Sequence, residues 1–331
     1  RLHNDGDSFR NGIFWRDAAY PPYPQDEMDK MAQCLDNIHE CGMKVTPYFS
    51  LKEIHPDVAE FGAFGKKWAR LEETRGALRY TRYPGGFWGV VMCLKSEWYK
   101  KRLDTIIQVL ENHPFDGIYF DWCMALECFN DEHCGYWHWD NSEFVKLLTE
   151  VRQHCGDRSE FYLHTSNVPS MISENIATQL LTDEVAFPEI GPQMFTPHVH
   201  FLNTAPRQIC DMLPAGHSEQ EVQQLAMCAL LHHATVATTS VAAQKLYADN
   251  RSWIGEVTKY RKHHAPGEGW GGINSESAGM AYYENDEEVL MVFANISGEA
   301  RNVNWEIAPL GWNGTITLPP MQMVTLKRPK A

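Results

Sequence analysis

Short apolar runs rich in β-branched and aromatic residues alternate along this chain with longer stretches whose apolar residues recur every three or four positions. The first pattern makes strands and the second makes helices, so the order predicts repeated strand–helix units. Eight such runs can be placed between Gly12 and about His264. Gly12 to Asp17 is the first, and it leads to a helix near Asp26 to Cys41 with Met28, Met31, Leu35 and Ile38 on one face; Gly42 stands where that helix must stop. Lys44 to Ser50 (KVTPYFS) is the second. The stretch from Leu51 to Gly89, rich in Gly, Trp and charge, reads as an insertion over the top of the fold. Val90 to Leu94 is the third run, and Ser96 caps a helix reaching about Asn112. Gly117 to Trp122 (GIYFDW) is the fourth and the clearest. An aromatic loop from Cys123 to Asp140 follows, then a helix with Phe144, Val145, Leu147, Leu148 and Val151 on its apolar face. Glu160 to Thr165 is the fifth run and Gln179 to Phe187 holds the sixth. Segments near Gln208 to Leu213 and Ala234 to Ser240 are the seventh and eighth, separated by an amphipathic helix from Ser218 to His233 that opens with a capping-box pattern.

Strands alternating with helices imply an α/β fold around a parallel sheet, and eight of them imply a (β/α)8 TIM barrel over residues 1–265. The last barrel helix is expected to end near His264. A Gly- and Ser-rich linker is expected at 266–279. Residues 280–331 then hold strand-like runs at Met280 to Tyr283, Val289 to Ala294, Thr315 to Leu318 and Gln322 to Leu326, which predict a small C-terminal antiparallel β domain. A barrel of about 250 residues plus such an appendage suits the chain length of 331.

The net charge of -14 argues against a surface that tracks phosphates, so nucleic acid is not an expected partner; a neutral carbohydrate suits the charge better. No apolar run approaches the roughly 20 residues a membrane span requires, and no membrane association is expected. The nine cysteines are scattered rather than spaced as a disulfide framework, which points to reduced thiols and leans towards an intracellular setting. Asn250, Asn295 and Asn313 each begin an N-x-[ST] pattern that would matter only in a secreted protein. The chain opens at Arg1 without an initiating Met and reads as an excised or processed piece.

In a barrel of this kind, reacting groups sit at the C-terminal ends of the strands. That rule selects Asp121, because strand alternation in GIYFDW sends Ile118 and Phe120 to one face and Tyr119 and Asp121 to the other. A second carboxylate is offered by Asp183 or Glu184, adjacent residues of which one is expected to face Asp121. A gap of about 5 to 5.5 Å between two such carboxyl groups implies retention of anomeric configuration, and about 6.5 to 9.5 Å implies inversion. Arg16 and Asp17 after the first run, with His164 and Asn167 at the fifth, are candidates to hold sugar hydroxyls. Trp122 and Trp137, with Tyr136 and Trp139 beside them, offer flat faces that can stack on a pyranose ring. Cys123, Cys128, His133, Cys134 and His138 have zinc-binding chemistry but no paired C-x-x-C spacing, so no metal and no cofactor is expected. No G-x-S-x-G elbow points to a serine hydrolase. The GEGWGG run at Gly267 to Gly272 neither follows a clear strand nor opens a helix, which argues against a phosphate cradle.

The segment DGIYFDW at Asp116 to Trp122 resembles the nucleophile strand of retaining α-glycosidases of the α-galactosidase and α-N-acetylgalactosaminidase type. The resemblance implies that Asp121 attacks the sugar, that Asp183 serves as acid/base in preference to Glu184, and that a β domain follows the barrel. Tyr119 stands where many α-galactosidases have Lys, a departure that bears on preference for galactose. A second likeness, Asp183-Glu184-Val185, is similar to the pair in β-N-acetylhexosaminidases that act through the substrate's own acetamide; it implies Glu184 as the acid. A carbohydrate-binding barrel without catalysis is the remaining expectation, since stacking aromatics do not require chemistry.

Overall fold

A carboxylate can stand at the end of a buried strand only if the strands beside it supply polar groups, and the first half of the chain is built to do this. The computed structural model describes residues 25–54, 56, 61–74, 77–82, 88–164, 175–183, 208–210, 218–236, 240–264, 271–273 and 275–330. The chain divides into two compact units, Arg1–Gln179 and Leu180–Ala331. The first strand run expected from the sequence, Gly12 to Asp17, lies outside the described residues.

In the first unit, strands Tyr48–Ser50, Gly117–Asp121 and Glu160–His164 lie side by side and parallel. Tyr48 pairs with Tyr119, Ser50 with Asp121, and Tyr119 with Tyr162. Helices Trp98–Asn112 and Asn141–Cys155 belong to the same unit. The face bearing Phe49, Phe120 and Phe161 meets these helices: the Arg102 guanidinium lies over the Phe49 ring at 5.9 Å and that of Arg152 over Phe161 at 5.6 Å. Helix Gln25–Glu40 ends where Gly42 takes φ 69°, a left-handed turn that glycine adopts without strain. Ser96 accepts the Trp98 amide at 3.2 Å, as its sequence position suggested. Gly117 is required by contact rather than by turning, because a Cβ there would stand 1.6 Å from the Glu160 carbonyl oxygen.

The expected third barrel strand is corrected by the structure. Trp88–Val91 is the middle strand of an antiparallel three-stranded sheet with Glu53–Ile54 and Tyr80–Arg82, so it belongs to the insertion and not to the parallel set. A β-rich run announces a strand but not its partner, and here the inserted segment folds back to supply both neighbours. This sheet is fastened by an ion pair with almost no exposure: Lys52 Nζ meets both oxygens of Asp140 at 2.8 and 2.6 Å. Asp140 also accepts the amides of Leu94 (3.2 Å) and Leu126 (2.7 Å), joining the insertion to the loop after Asp121. Burial holds the Lys52 ammonium below its usual range even though Asp140 opposes the shift.

In the second unit, strands Gln208–Cys210 and Ala234–Val236 are parallel, and Gln179–Asp183 runs parallel to the former. Six of the eight expected runs are therefore parallel strands among the described residues. Helix Glu219–Leu231 begins with the full capping box, Ser218 and Glu221 each satisfying the other's amide. Helicity near the end of the expected barrel stops earlier than His264. After Lys259 the chain turns extended, and Arg261–His264 pairs antiparallel with Ala278–Glu284.

Four C-terminal antiparallel strands follow as expected, at Ala278–Glu284, Glu288–Asn295, Trp312–Leu318 and Gln322–Pro329, with Arg301–Ile307 added between them. Ala278–Glu284 and Glu288–Asn295 are apolar on both faces for a reason. One face packs on Val303, Trp305 and Ile307 of the second sheet, and the other packs on helix Glu219–Leu231. Arg301–Ile307 alternates buried and exposed positions because only one of its faces is covered. Asn295 is fully buried, its amide donating to the carbonyls of Glu299, Leu318 and Pro319, so this acceptor motif cannot receive a glycan in the folded chain. Among the described residues no disulfide forms and no helix is long and apolar enough to cross a membrane.

Replacing Gly117 with Ala should destabilise the protein by about 1–3 kcal/mol or more, since the strand pair must open to admit the methyl group. The midpoint of chemical denaturation reads this directly; a wild-type midpoint would contradict the close approach of the two strands.

Candidate active site

Because the three parallel strands of the first unit are in register, Tyr48, Ser50, Tyr119, Asp121, Tyr162 and His164 share one face. The Tyr119 ring lies 5.1 Å from that of Tyr48, 4.7 Å from that of Tyr162 and 6.3 Å from the His164 imidazole. These tyrosines are buried, so their packed rings form a rigid aromatic floor. Asp121, the last residue of its strand, retains 16% side-chain exposure.

Among the described residues, at least three polar groups converge on this carboxylate. The Tyr48 hydroxyl donates to Oδ2. The Trp122 amide donates to Oδ1 at 2.7 Å, and His164 Nδ1 stands 3.0 Å from the same oxygen. Trp122 has φ 59°, a left-handed conformation uncommon for a bulky residue, and it accompanies the amide's return to the preceding side chain. An ionised carboxylate only accepts hydrogen bonds, so its contact selects the imidazole tautomer with a proton on Nδ1. The Tyr119 hydroxyl oxygen, 3.1 Å from Nδ1, then receives the second branch of that N–H. Each carboxylate oxygen offers two lone pairs, so Asp121 can accept all three of these donors.

At the other end of the same strand, Asp116 has a different task. Burial pushes its carboxyl up, but the Val45 amide at 2.8 Å and His39 at 2.9 Å outweigh this and hold it below the usual carboxylate range. Asp116 thus pins the start of its strand to the helix and strand before it.

Of the residues singled out from the sequence, Asp121 and His164 come together as described, and Trp122 supplies its backbone to them. Trp137 lies on the loop after the strand, 61% exposed, with its indole N–H donating to Glu127 at 3.4 Å; Tyr136 and Trp139 are exposed on the same loop. These rings do not fill a core. Asp183 is the terminal residue of strand Gln179–Asp183. Arg16, Asp17, Asn167 and Glu184 lie outside the described residues. Tyr48 was not among the candidates, although KVTPYFS alternates with the same period as GIYFDW; the missing information was the register that sets Tyr48 beside Tyr119. Within the aromatic loop, Cys128, His133 and His138 meet Cys93 from the insertion, whereas the Cys123 thiol turns to the Phe120 carbonyl at 3.3 Å and Cys134 is exposed.

Residues 14–175, which span Tyr48, Asp121 and His164, match the family model described as Domain of unknown function (DUF6259). No curated protein sequence matches the chain. Among solved structures, the chain is similar in fold to a maltogenic α-amylase from Thermotoga neapolitana, with TM-score 0.56 and 9% identity over 92% of this chain and 80% of that one. It is similar to an α-amylase from Geobacillus thermoleovorans complexed with acarbose, with TM-score 0.55 and 9% identity over 91% of this chain and 80% of that one. The galactosidase domain of an α-galactosidase-sucrose kinase is similar at TM-score 0.52 and 13% identity, over 90% of this chain and 45% of that one.

Substituting His164 by Ala leaves the Tyr119 hydroxyl and the Asp121 carboxylate each short of a partner, and should cost about 1–3 kcal/mol of stability. Equilibrium denaturation of the variant checks this, and an unchanged stability would mean that the network contributes no net free energy.

Proposed function

We propose that this chain is a glycoside hydrolase that removes a terminal, α-linked sugar by a retaining double displacement, on a (β/α)8 barrel. The observation that carries the reading is Asp121: a partly exposed carboxylate at the C-terminal end of a parallel strand, positioned by Tyr48, His164 and the Trp122 amide. The fold likeness to proteins named as α-amylases and a galactosidase domain supports it.

In this mechanism an Asp121 oxygen attacks the anomeric carbon as the bond to the leaving oxygen breaks. Asp183 or Glu184 gives that oxygen a proton. The same residue then takes a proton from water, whose oxygen displaces Asp121 and restores the original anomeric configuration. Donors on Asp121 hold it at the angle of attack and stabilise it as it departs in the second step. His164, Arg16, Asp17 and Asn167 hold sugar hydroxyls, while Trp122 and Trp137 stack on the ring. The substrate-assisted reading, with Glu184 as acid, and the non-catalytic binding barrel are outcomes of the same experiment.

A panel of activated aryl α- and β-glycosides tests the proposal. Asp121→Ala should lower turnover of the preferred α-glycoside at least ~10³-fold with the fold intact. Added azide, replacing the missing nucleophile, should then yield a glycosyl azide of inverted configuration. Near-normal turnover by the variant, or turnover confined to β-linked N-acetylhexosaminides, would reject the mechanism. Affinity for the glycosides without release of product would identify a binding module instead.

A further inference from the structure

Four side chains with metal-ligand chemistry converge inside the first unit. Cys93 follows the Trp88–Val91 strand, Cys128 ends the Glu127–Cys128 strand, His133 lies in the short helix Asp131–Cys134, and His138 opens the His138–Trp139 strand. Their donor atoms all lie within 4.8 Å of one another. Cys93 Sγ is 3.4 Å from His138 Nε2, and Cys128 Sγ is 3.6 Å from His133 Nδ1. With Zn–S bonds of about 2.3 Å and Zn–N bonds of about 2.0–2.1 Å, a tetrahedral site has sulfur-to-nitrogen edges of about 3.5 Å.

The surroundings orient these donors inward. His133 Nε2 lies 2.5 Å from the Lys67 carbonyl oxygen, and His138 Nδ1 lies 2.9 Å from that of Gly135. A carbonyl oxygen only accepts, so each outer nitrogen bears the proton and each inner nitrogen points a lone pair at the sulfurs. Outer-shell partners of this kind are what fix the tautomer of metal-bound histidines. The Cys128 sulfur also accepts the Asn130 amide at 3.4 Å, which fixes its place in the cluster. Cys93, Cys128 and His138 are buried.

We propose that Cys93, Cys128, His133 and His138 form a structural zinc site. Four protein donors fill a tetrahedral shell and leave no open position for water, which separates this site from a catalytic zinc. Binding releases the thiol protons and places two thiolates and two neutral imidazoles around one dication. The metal ties the insertion, through Cys93, to the loop after Asp121, through Cys128, His133 and His138. It works alongside the Lys52–Asp140 pair, which joins the same two segments. This proposal does not depend on the glycoside hydrolase reading.

The test is elemental analysis of the intact chain purified without chelators, which should contain about one zinc per chain. Replacing that zinc with cobalt should give the intense visible absorption and thiolate charge-transfer band of a tetrahedral sulfur-bound ion. Cys128→Ser and His138→Ala should each lower zinc affinity at least ~10-fold in competition with a chromophoric chelator. Cys134→Ser, which alters an exposed thiol outside the set, should retain the metal. Should the ligand variants fail to fold, chelating zinc from the wild-type chain remains decisive, since it should lower the thermal midpoint. The proposal is overturned by a native protein that takes up neither zinc nor cobalt, or by a Cys93–Cys128 disulfide under reducing purification. Full zinc content in the Cys128→Ser/His138→Ala double variant, or an unmoved midpoint after chelation, would overturn it as well.

Discussion

A negative charge at the mouth of a buried parallel sheet is the constraint around which the first unit is organised. Left alone in such a place, the Asp121 carboxylate would cost several kcal/mol or take up a proton. It is kept because each neighbouring strand contributes one donor, Tyr48 from one side and His164 from the other, while the left-handed turn at Trp122 returns an amide from within its own chain. Those donors are themselves immobile. The tilted and edge-to-face packing of the Tyr48, Tyr119 and Tyr162 rings restricts rotation, so the carboxylate is held by packing as much as by hydrogen bonds.

Close strand approach makes that arrangement reachable. Gly117 lets the Asp121 strand lie against the Glu160 backbone, and Asp116 anchors the strand's far end to Val45 and His39. Beyond Asp121 the chain enters a long aromatic loop, which would be slack if it were joined only at its ends. The buried Lys52–Asp140 pair and the Cys93, Cys128, His133, His138 cluster both fasten that loop to the inserted antiparallel sheet. Loop residues exposed to solvent, Trp137 among them, are thus presented from a supported frame.

Much of this was legible in the sequence because period-two alternation is a local property. GIYFDW reveals both its strand and the side on which Asp121 emerges, and EFYLHT does the same for His164. The Ser218 capping box and the C-terminal apolar runs are local in the same way. What stayed hidden depended on partners far along the chain. Val90 and Val91 read as a barrel strand until the insertion supplied their antiparallel neighbours, and Arg261–His264 read as helix until Ala278–Glu284 paired with it. Tyr48 becomes a site residue only through its register with Tyr119, and Cys93 joins Cys128 only after the insertion folds back.

The central claim, that the polar cradle makes Asp121 a nucleophile, is open to one direct chemical test. Cyclitol epoxides in several sugar configurations react with the attacking carboxylate of retaining glycosidases and leave a stable ester. After exposure of the native protein to such a panel, peptide mass spectrometry should locate the adduct on Asp121, and prior incubation with the preferred sugar should suppress it. An ester on a different carboxylate, or none in a preparation that hydrolyses glycosides, would contradict the account.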